Sequence, residues 1–202
     1  MKTLGLIGGT SWVSTAEYYR MINEKVNQKL GGLNSAKLFL YSLNLEEFKP
    51  SADPVKLMEM ESTLSSIAIK LQHAGADCIV LCANTPHIAA DNVQSNISIP
   101  LIHIAEVTAS AIKHQRLKKI GLLGTKVTME QKFYRDKLSE QQIETIIPDE
   151  EDREFIHNSI VTELGKGIFT EKTKHKYLVI IEKLVRQGAK GIILGCTEII
   201  CS

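Results

Sequence analysis

Two apolar segments of this chain return at nearly the same spacing. Leu4-Gly5-Leu6-Ile7-Gly8 is echoed by Ile120-Gly121-Leu122-Leu123-Gly124, 116 positions on. Gly75-Ala76-Asp77-Cys78-Ile79-Val80-Leu81 is echoed by Gly188-Ala189-Lys190-Gly191-Ile192-Ile193-Leu194, 113 positions on. The first segment is followed each time by a Thr-containing loop, through Thr10 and Thr125. One apolar run ending in glycine recurs by chance in α/β proteins. Two pairs at nearly one offset predict an internal duplication, with a first half at 1–115 and a second at 116–202.

Within each half, short apolar runs alternate with amphipathic stretches, as in a parallel sheet covered by helices. Strands are expected at 4–8, 37–43, 77–82, just after Pro100, and at 119–124, 143–147 and 190–194. Ser14 with Glu17 three residues later reads as a capping box, opening a helix that runs to about Leu30 and stops at Gly31-Gly32. Asp53-Pro54 places an N-cap before a proline at the first helical position. Thr85-Pro86 predicts a helix to about Gln94, and another is expected near 105–114. Thr128 and Gln131 form a second capping-box pattern, opening a helix to about Ser139. The acidic run 149–152 suits a helix N-terminus, and Thr170 opens a last helix that ends at Gly188. The fold class is α/β: two pseudo-symmetric, Rossmann-like halves with parallel sheets. Ligands of such sheets bind at the C-terminal strand ends, which puts the expected site in the cleft between the halves.

At about 150 residues per domain, a length of 202 residues is an awkward fraction that unequal halves explain. Lys plus Arg number 24 against 23 Asp plus Glu. That balance disfavours nucleic acid or an acidic membrane as partner, but leaves room for a local cationic pocket. Aromatic residues are 5% of the chain, too few for a base-stacking platform. No apolar run approaches the roughly 18 residues of a membrane span, and the first residues are too short for a signal-peptide core. A reduced, cytoplasmic setting is the expectation. Cys78, Cys82, Cys196 and Cys201 are spaced C-x3-C and C-x4-C, unlike a zinc knuckle, so no metal is expected.

Cys82 directly follows one repeated strand, and Cys196 follows the other after one extra residue, Gly195. Halves related by a pseudo-twofold axis would present these cysteines to one cleft from opposite sides. A thiol has a free pKa near 8.5, so one sulfur can take a proton from one face of a carbon while the other delivers a proton to the opposite face. That inverts a stereocentre with no cofactor. Helix starts after Cys82 and Cys196 are expected to lower their pKa values. The same backbone N–H groups, with the Asn84 and Thr85 side chains, suit a substrate α-carboxylate. Each residue also has a plain alternative. A cysteine ending a buried strand is often packing, Thr85 before Pro86 is often only an N-cap, His87 can bond locally, and Glu198 either faces solvent or orients the thiol or a substrate amine.

The segment Gly-Leu-Ile-Gly-Gly-Thr-Ser-Trp-Val-Ser-Thr at 5–15, with Cys82-Ala83-Asn84-Thr85, Leu123-Gly124-Thr125 and Gly195-Cys196-Thr197-Glu198-Ile199, resembles the aspartate/glutamate racemase family. The likeness runs along nearly the whole chain and is greatest to broad-specificity and aspartate/glutamate-specific members. It implies racemisation independent of pyridoxal phosphate, with Cys82 and Cys196 as the two catalytic acid/bases, and often a homodimer. It also implies that Asn84, Thr85, Thr125 and Thr128 hold the substrate carboxylate, and that Thr10, Ser11 and Thr197 line the site. Lys166, in a family-like stretch, is the candidate grip on a distal carboxylate; its alternative is a solvated lysine near a helix end. The loop 48–55 lacks the arginine expected of aspartate-selective members, and Lys49 is a poor substitute.

After Cys82 the first half continues for 37 residues to Lys119, whereas six follow Cys196. The repeat and the family both predict a further βα unit at that end, so the expectation is a second half with an exposed apolar flank and reduced stability or activity. The competing functions are a hydantoin- or maleate-type isomerase and an inactive dicarboxylate-binding protein. A nucleotide-binding oxidoreductase is disfavoured because Gly5-x-x-Gly8-Gly9 is not G-x-G-x-x-G.

Overall fold

The computed structural model describes residues 1–48, 51–197 and 199. Lys49, Glu198 and Cys201 therefore lie outside the described residues. The chain forms two compact units, Met1–His103 and Ile104–Ser202.

The first unit runs β1 (Thr3–Gly8), α1 (Trp12–Leu30), β2 (Lys37–Ser42), α2 (Pro54–His73), β3 (Cys78–Leu81), a 3₁₀ turn (Thr85–Ala89), α3 (Ala90–Ser95) and β4 (Leu101–Ile102). Its sheet has the order β2-β1-β3-β4. All pairings are parallel, with Leu4 opposite both Leu38 and Cys78. Helix α2 covers one face because Met60, Leu64, Ile67 and Leu71 recur at helical spacing, and they bury against Ile7, Ile79 and Leu81. The Asp53 cap is present, its carboxylate accepting the Lys56 N–H at 3.2 Å.

The second unit runs α4 (Ile104–His114), β5 (Lys119–Gly124), α5 (Lys126–Glu130), α6 (Lys132–Glu140), β6 (Glu144–Ile146), α7 (Glu150–Thr162), a 3₁₀ turn (Leu164–Lys166), α8 (Glu171–Arg186) and β7 (Ile192–Gly195). Its sheet, β6-β5-β7, is again parallel. Strand alternation sends Ile120 and Leu122 to the face covered by α4 and α6, and Leu123 to the face covered by α7 and α8. The order matches β2-β1-β3 of the first unit, so the repeated segments are the central strand and its third-strand neighbour in both. Among the described residues no strand of the second unit matches β4.

Three local expectations change. Helix α1 begins at Trp12, capped by the Ser11 side chain, which accepts the Ser14 N–H at 3.2 Å; Ser14 is inside the first turn and buried. Thr125, not Thr128, caps the helix after β5. That helix breaks at Gln131, whose extended ψ of 155° splits the expected single helix into α5 and α6. The first compact unit ends at His103 and the second begins at Ile104, where Ala105, Ala109 and Ile112 of α4 pack with Tyr134 and Leu138 of α6.

The loop after β1 is tied down by its glycine. Gly9 has φ +88°, and a Cβ there would lie 2.0 Å from the Leu43 carbonyl oxygen, while the Leu43 N–H donates to the Gly8 carbonyl at 2.9 Å. Gly167 also has positive φ, +74°, but open space around it. Gly167→Ala should cost about 1–2 kcal/mol of left-handed strain. Gly9→Ala adds a backbone collision and should cost clearly more in urea unfolding.

Candidate active site

Cys82 stands one step past the Ile7–Leu81 pair at the carboxyl end of β3. Its N–H donates to the Ile7 carbonyl at 2.9 Å. Its own carbonyl accepts the Ser14 hydroxyl of α1 at 2.8 Å. The first turn of α1 therefore lies against Cys82. The loop leading into that turn is folded by Thr15, whose hydroxyl oxygen accepts the Gly9 N–H at 2.9 Å and donates to the Ser11 carbonyl at 2.8 Å. Thr10 and Ser11, both half-buried, sit in this loop.

Beyond Cys82 the chain turns directly into the 3₁₀ segment. His87, fully buried, has its Nδ1 2.9 Å from the Ala83 carbonyl. A carbonyl only accepts, so Nδ1 carries the proton. The ring also meets His103 edge-on, centroids 4.9 Å apart. Burial, and secondarily the neighbouring His103, push His87 down to about 3, so it is neutral at ordinary pH. Asn84 and Thr85 are half-buried, and the buried Asn84 Oδ1 has no hydrogen-bond partner among the described residues. The first unit thus brings Thr10, Ser11, Cys82, Asn84 and Thr85 to one end of its sheet.

The expected lowering of the Cys82 thiol is overturned. Burial pushes it up to about 12, since a low-dielectric setting penalises the thiolate. The element that follows is a five-residue 3₁₀ turn rather than an α-helix, with too few aligned peptide dipoles to offset that penalty.

In the second unit Gly195 is paired with Gly124, and Cys196 lies one step beyond. The extra residue has a steric basis. A Cβ on Gly195 would lie 2.7 Å from the Leu123 carbonyl oxygen and 3.1 Å from the Thr128 methyl. Thr125 and Thr128 join hydroxyl to hydroxyl at 3.1 Å beside this strand end. The half-buried Cys196 packs in the cluster that contains Tyr177, and its carbonyl accepts the Ile199 N–H at 3.2 Å. Thr197, half-buried, follows in the same turn. Tyr177 and Ser159 share a buried hydrogen bond of 2.9 Å. Burial first, then the nearby Cys196 and Glu163 charges, push the Tyr177 phenol up to about 12. On sequence grounds Tyr177 is one more apolar-face residue of an amphipathic helix, and no local signal separates it from core. Lys166 is exposed on the 3₁₀ turn after α7. The Glu198 expectation falls outside the described residues. Among the described residues no cluster of three or more His, Cys, Asp or Glu is placed to hold a metal, and no helix is long and apolar enough to cross a membrane.

Residues 7–200 match the profile of the Asp/Glu/hydantoin racemase family. Over 199 residues the chain is 25% identical to the broad-specificity amino-acid racemase RacX of Bacillus subtilis, a match covering 97% of this chain and 85% of that protein. A candidate Asp/Glu racemase from Yersinia pestis, known as a crystal structure, is 50% identical with a TM-score of 0.92, over 100% of this chain and 88% of its own. An aspartate racemase homologue from Pyrococcus horikoshii is 35% identical with a TM-score of 0.83, over 98% and 87%.

The buried imidazole makes a signed prediction. An unfolded histidine titrates near 6.5 and folded His87 near 3, so its contribution is complete above pH 6.5 and is lost as pH falls toward 3. Between pH 6 and 4, wild-type unfolding free energy should fall more steeply than that of His87→Phe. The difference should approach about 1.4 kcal/mol per pH unit in urea titrations.

Proposed function

The chain belongs to the Asp/Glu/hydantoin racemase family and is an amino-acid racemase, and we propose that it inverts Cα of aspartate, glutamate or a broader amino-acid set by two-base proton transfer between Cys82 and Cys196. The observation that carries this reading is the repeated strand end. In each unit the third-strand neighbour of the central strand is followed directly by a cysteine, flanked by hydroxyl-bearing residues. Neither unit needs a cofactor to supply an acid or a base.

In one direction the Cys196 thiolate removes the Cα proton, leaving a carbanion conjugated with the α-carboxylate. The Cys82 thiol then donates its proton to the opposite face and becomes the thiolate. The reverse direction exchanges the roles. The burial that keeps Cys82 protonated suits it to the donor role from the resting state, and its thiolate needs a positive charge nearby. A substrate ammonium supplies one. On this reading Asn84 and Thr85, with Thr125 and Thr128, hold the α-carboxylate, whose neutralisation acidifies Cα–H. Thr10, Ser11 and Thr197 line the same site, Glu198 orients the substrate amine, and Lys166 grips a distal carboxylate. The reading extends to a homodimer and to a reducing cytoplasm; the free thiols of Cys78 and Cys82 support the latter.

The test is racemisation of L-aspartate and L-glutamate, followed by circular dichroism with no added cofactor. Cys82→Ala and Cys196→Ala should each lose at least about a hundredfold in turnover, as expected when a positioned acid/base is removed. Wild-type turnover in both variants would end the two-thiol mechanism.

A further inference from the structure

Three successive carbonyls at the Cys82 strand end are taken by donors. The Cys82 carbonyl accepts the Ser14 hydroxyl at 2.8 Å, the Ala83 carbonyl accepts the His87 Nδ1–H at 2.9 Å, and the Asn84 carbonyl accepts the His87 backbone N–H at 3.0 Å. With the Cys82 N–H held by Ile7, the backbone that carries the sulfur is fixed on both sides. Two of these donors are side chains, and both are buried.

Neither side chain has a simpler explanation. Ser14 does not cap α1, because Ser11 does, and a serine inside a helix ordinarily bonds its own preceding turn or faces solvent. Its hydroxyl instead crosses 68 positions of sequence. His87 is held neutral, with Nδ1 as its donor and Nε2 buried without a partner among the described residues. A buried imidazole that leaves one nitrogen unsatisfied carries a cost, and the bond it makes in return is the one to the Ala83 carbonyl.

We propose that Ser14 and His87 are positioning residues that clamp the Cys82-Ala83-Asn84 turn and so aim the Cys82 sulfur; this rests on the reading of Cys82 as an acid/base. Proton transfer is sensitive to misplacement of about an ångström, at around a hundredfold in rate, and a strand-end loop has no neighbour beyond the ladder to hold it. The second unit holds its cysteine differently. Three residues after its helix cap, as Ser14 is after Ser11, Thr128 bonds Thr125, and the Cys196 carbonyl is taken by the local Ile199 N–H. Cys196 therefore serves as an internal control.

The experiment compares Ser14→Ala with Ser14→Thr, and His87→Phe with His87→Asn, whose side-chain amide can replace the Nδ1–H donor. On the full chain it measures kcat and KM for L-aspartate, and the pH dependence of iodoacetamide alkylation at Cys82 and Cys196 by mass spectrometry. The clamp predicts that Ser14→Ala and His87→Phe lower kcat by about tenfold to a hundredfold with little change in KM, and shift the Cys82 alkylation profile alone. Ser14→Thr and His87→Asn should recover most of both. Unchanged kcat and Cys82 alkylation in Ser14→Ala and His87→Phe would overturn it, as would equal shifts at Cys82 and Cys196, which report general loosening. If the wild type fails to racemise but Cys82 alkylation still shifts selectively, the clamp stands and the racemase reading falls.

Discussion

The candidate site residues of the first unit depend on the hydrogen bond from the Cys82 N–H to the Ile7 carbonyl. It is the last rung of the parallel β1–β3 ladder, and it sets the sulfur at the carboxyl edge of the sheet. The first turn of α1 and the 3₁₀ turn then close on the same few atoms, through Ser14 and His87. The glycines of the preceding loop follow from this crowding: a Cβ on Gly8 would meet the Thr15 side chain at 2.4 Å. The second unit solves the same problem with Gly195, which leaves room between the Leu123 carbonyl and Thr128 before the chain reaches Cys196.

Burial sets the chemical character of the first thiol. A helix terminus favours an anion by about 0.3–1 kcal/mol at an exposed site, whereas removing a thiolate from water costs several pKa steps when the site is dry. Cys82 lies at the buried limit, so it rests as an acid. Under the proposed two-thiol mechanism, the substrate ammonium is the compensating charge for the Cys82 thiolate.

Much of this was legible in the sequence because it rests on local patterns. The repeated segments became the matching strand pairs β1–β3 and β5–β7, and the Asp53-Pro54 start was observed as expected. What the sequence does not reveal rests on contacts distant along the chain. Ser11 and Ser14 are both plausible caps in Ser-Trp-Val-Ser, and only the Cys82 carbonyl, far along the chain, decides between them. Thr125 and Thr128 pose the same ambiguity, and nothing local marks the break at Gln131. Helix α4 joins the second unit because its apolar stripe matches α6, which its position between strands does not reveal. The Cys82 thiol departs from its sequence expectation because a favourable terminus is visible in sequence and a dry environment is not.

The central claim is that two monoprotic sulfurs act on opposite faces of one carbon. Its most direct test is the isotopic fate of Cα during initial-rate conversion of unlabelled L-aspartate in D2O. The account predicts deuterium at Cα of the D-aspartate formed, while the remaining L-aspartate stays protiated. Deuterium entering L-aspartate as fast as it enters D-aspartate would contradict it, because a single exchanging base would then serve both faces.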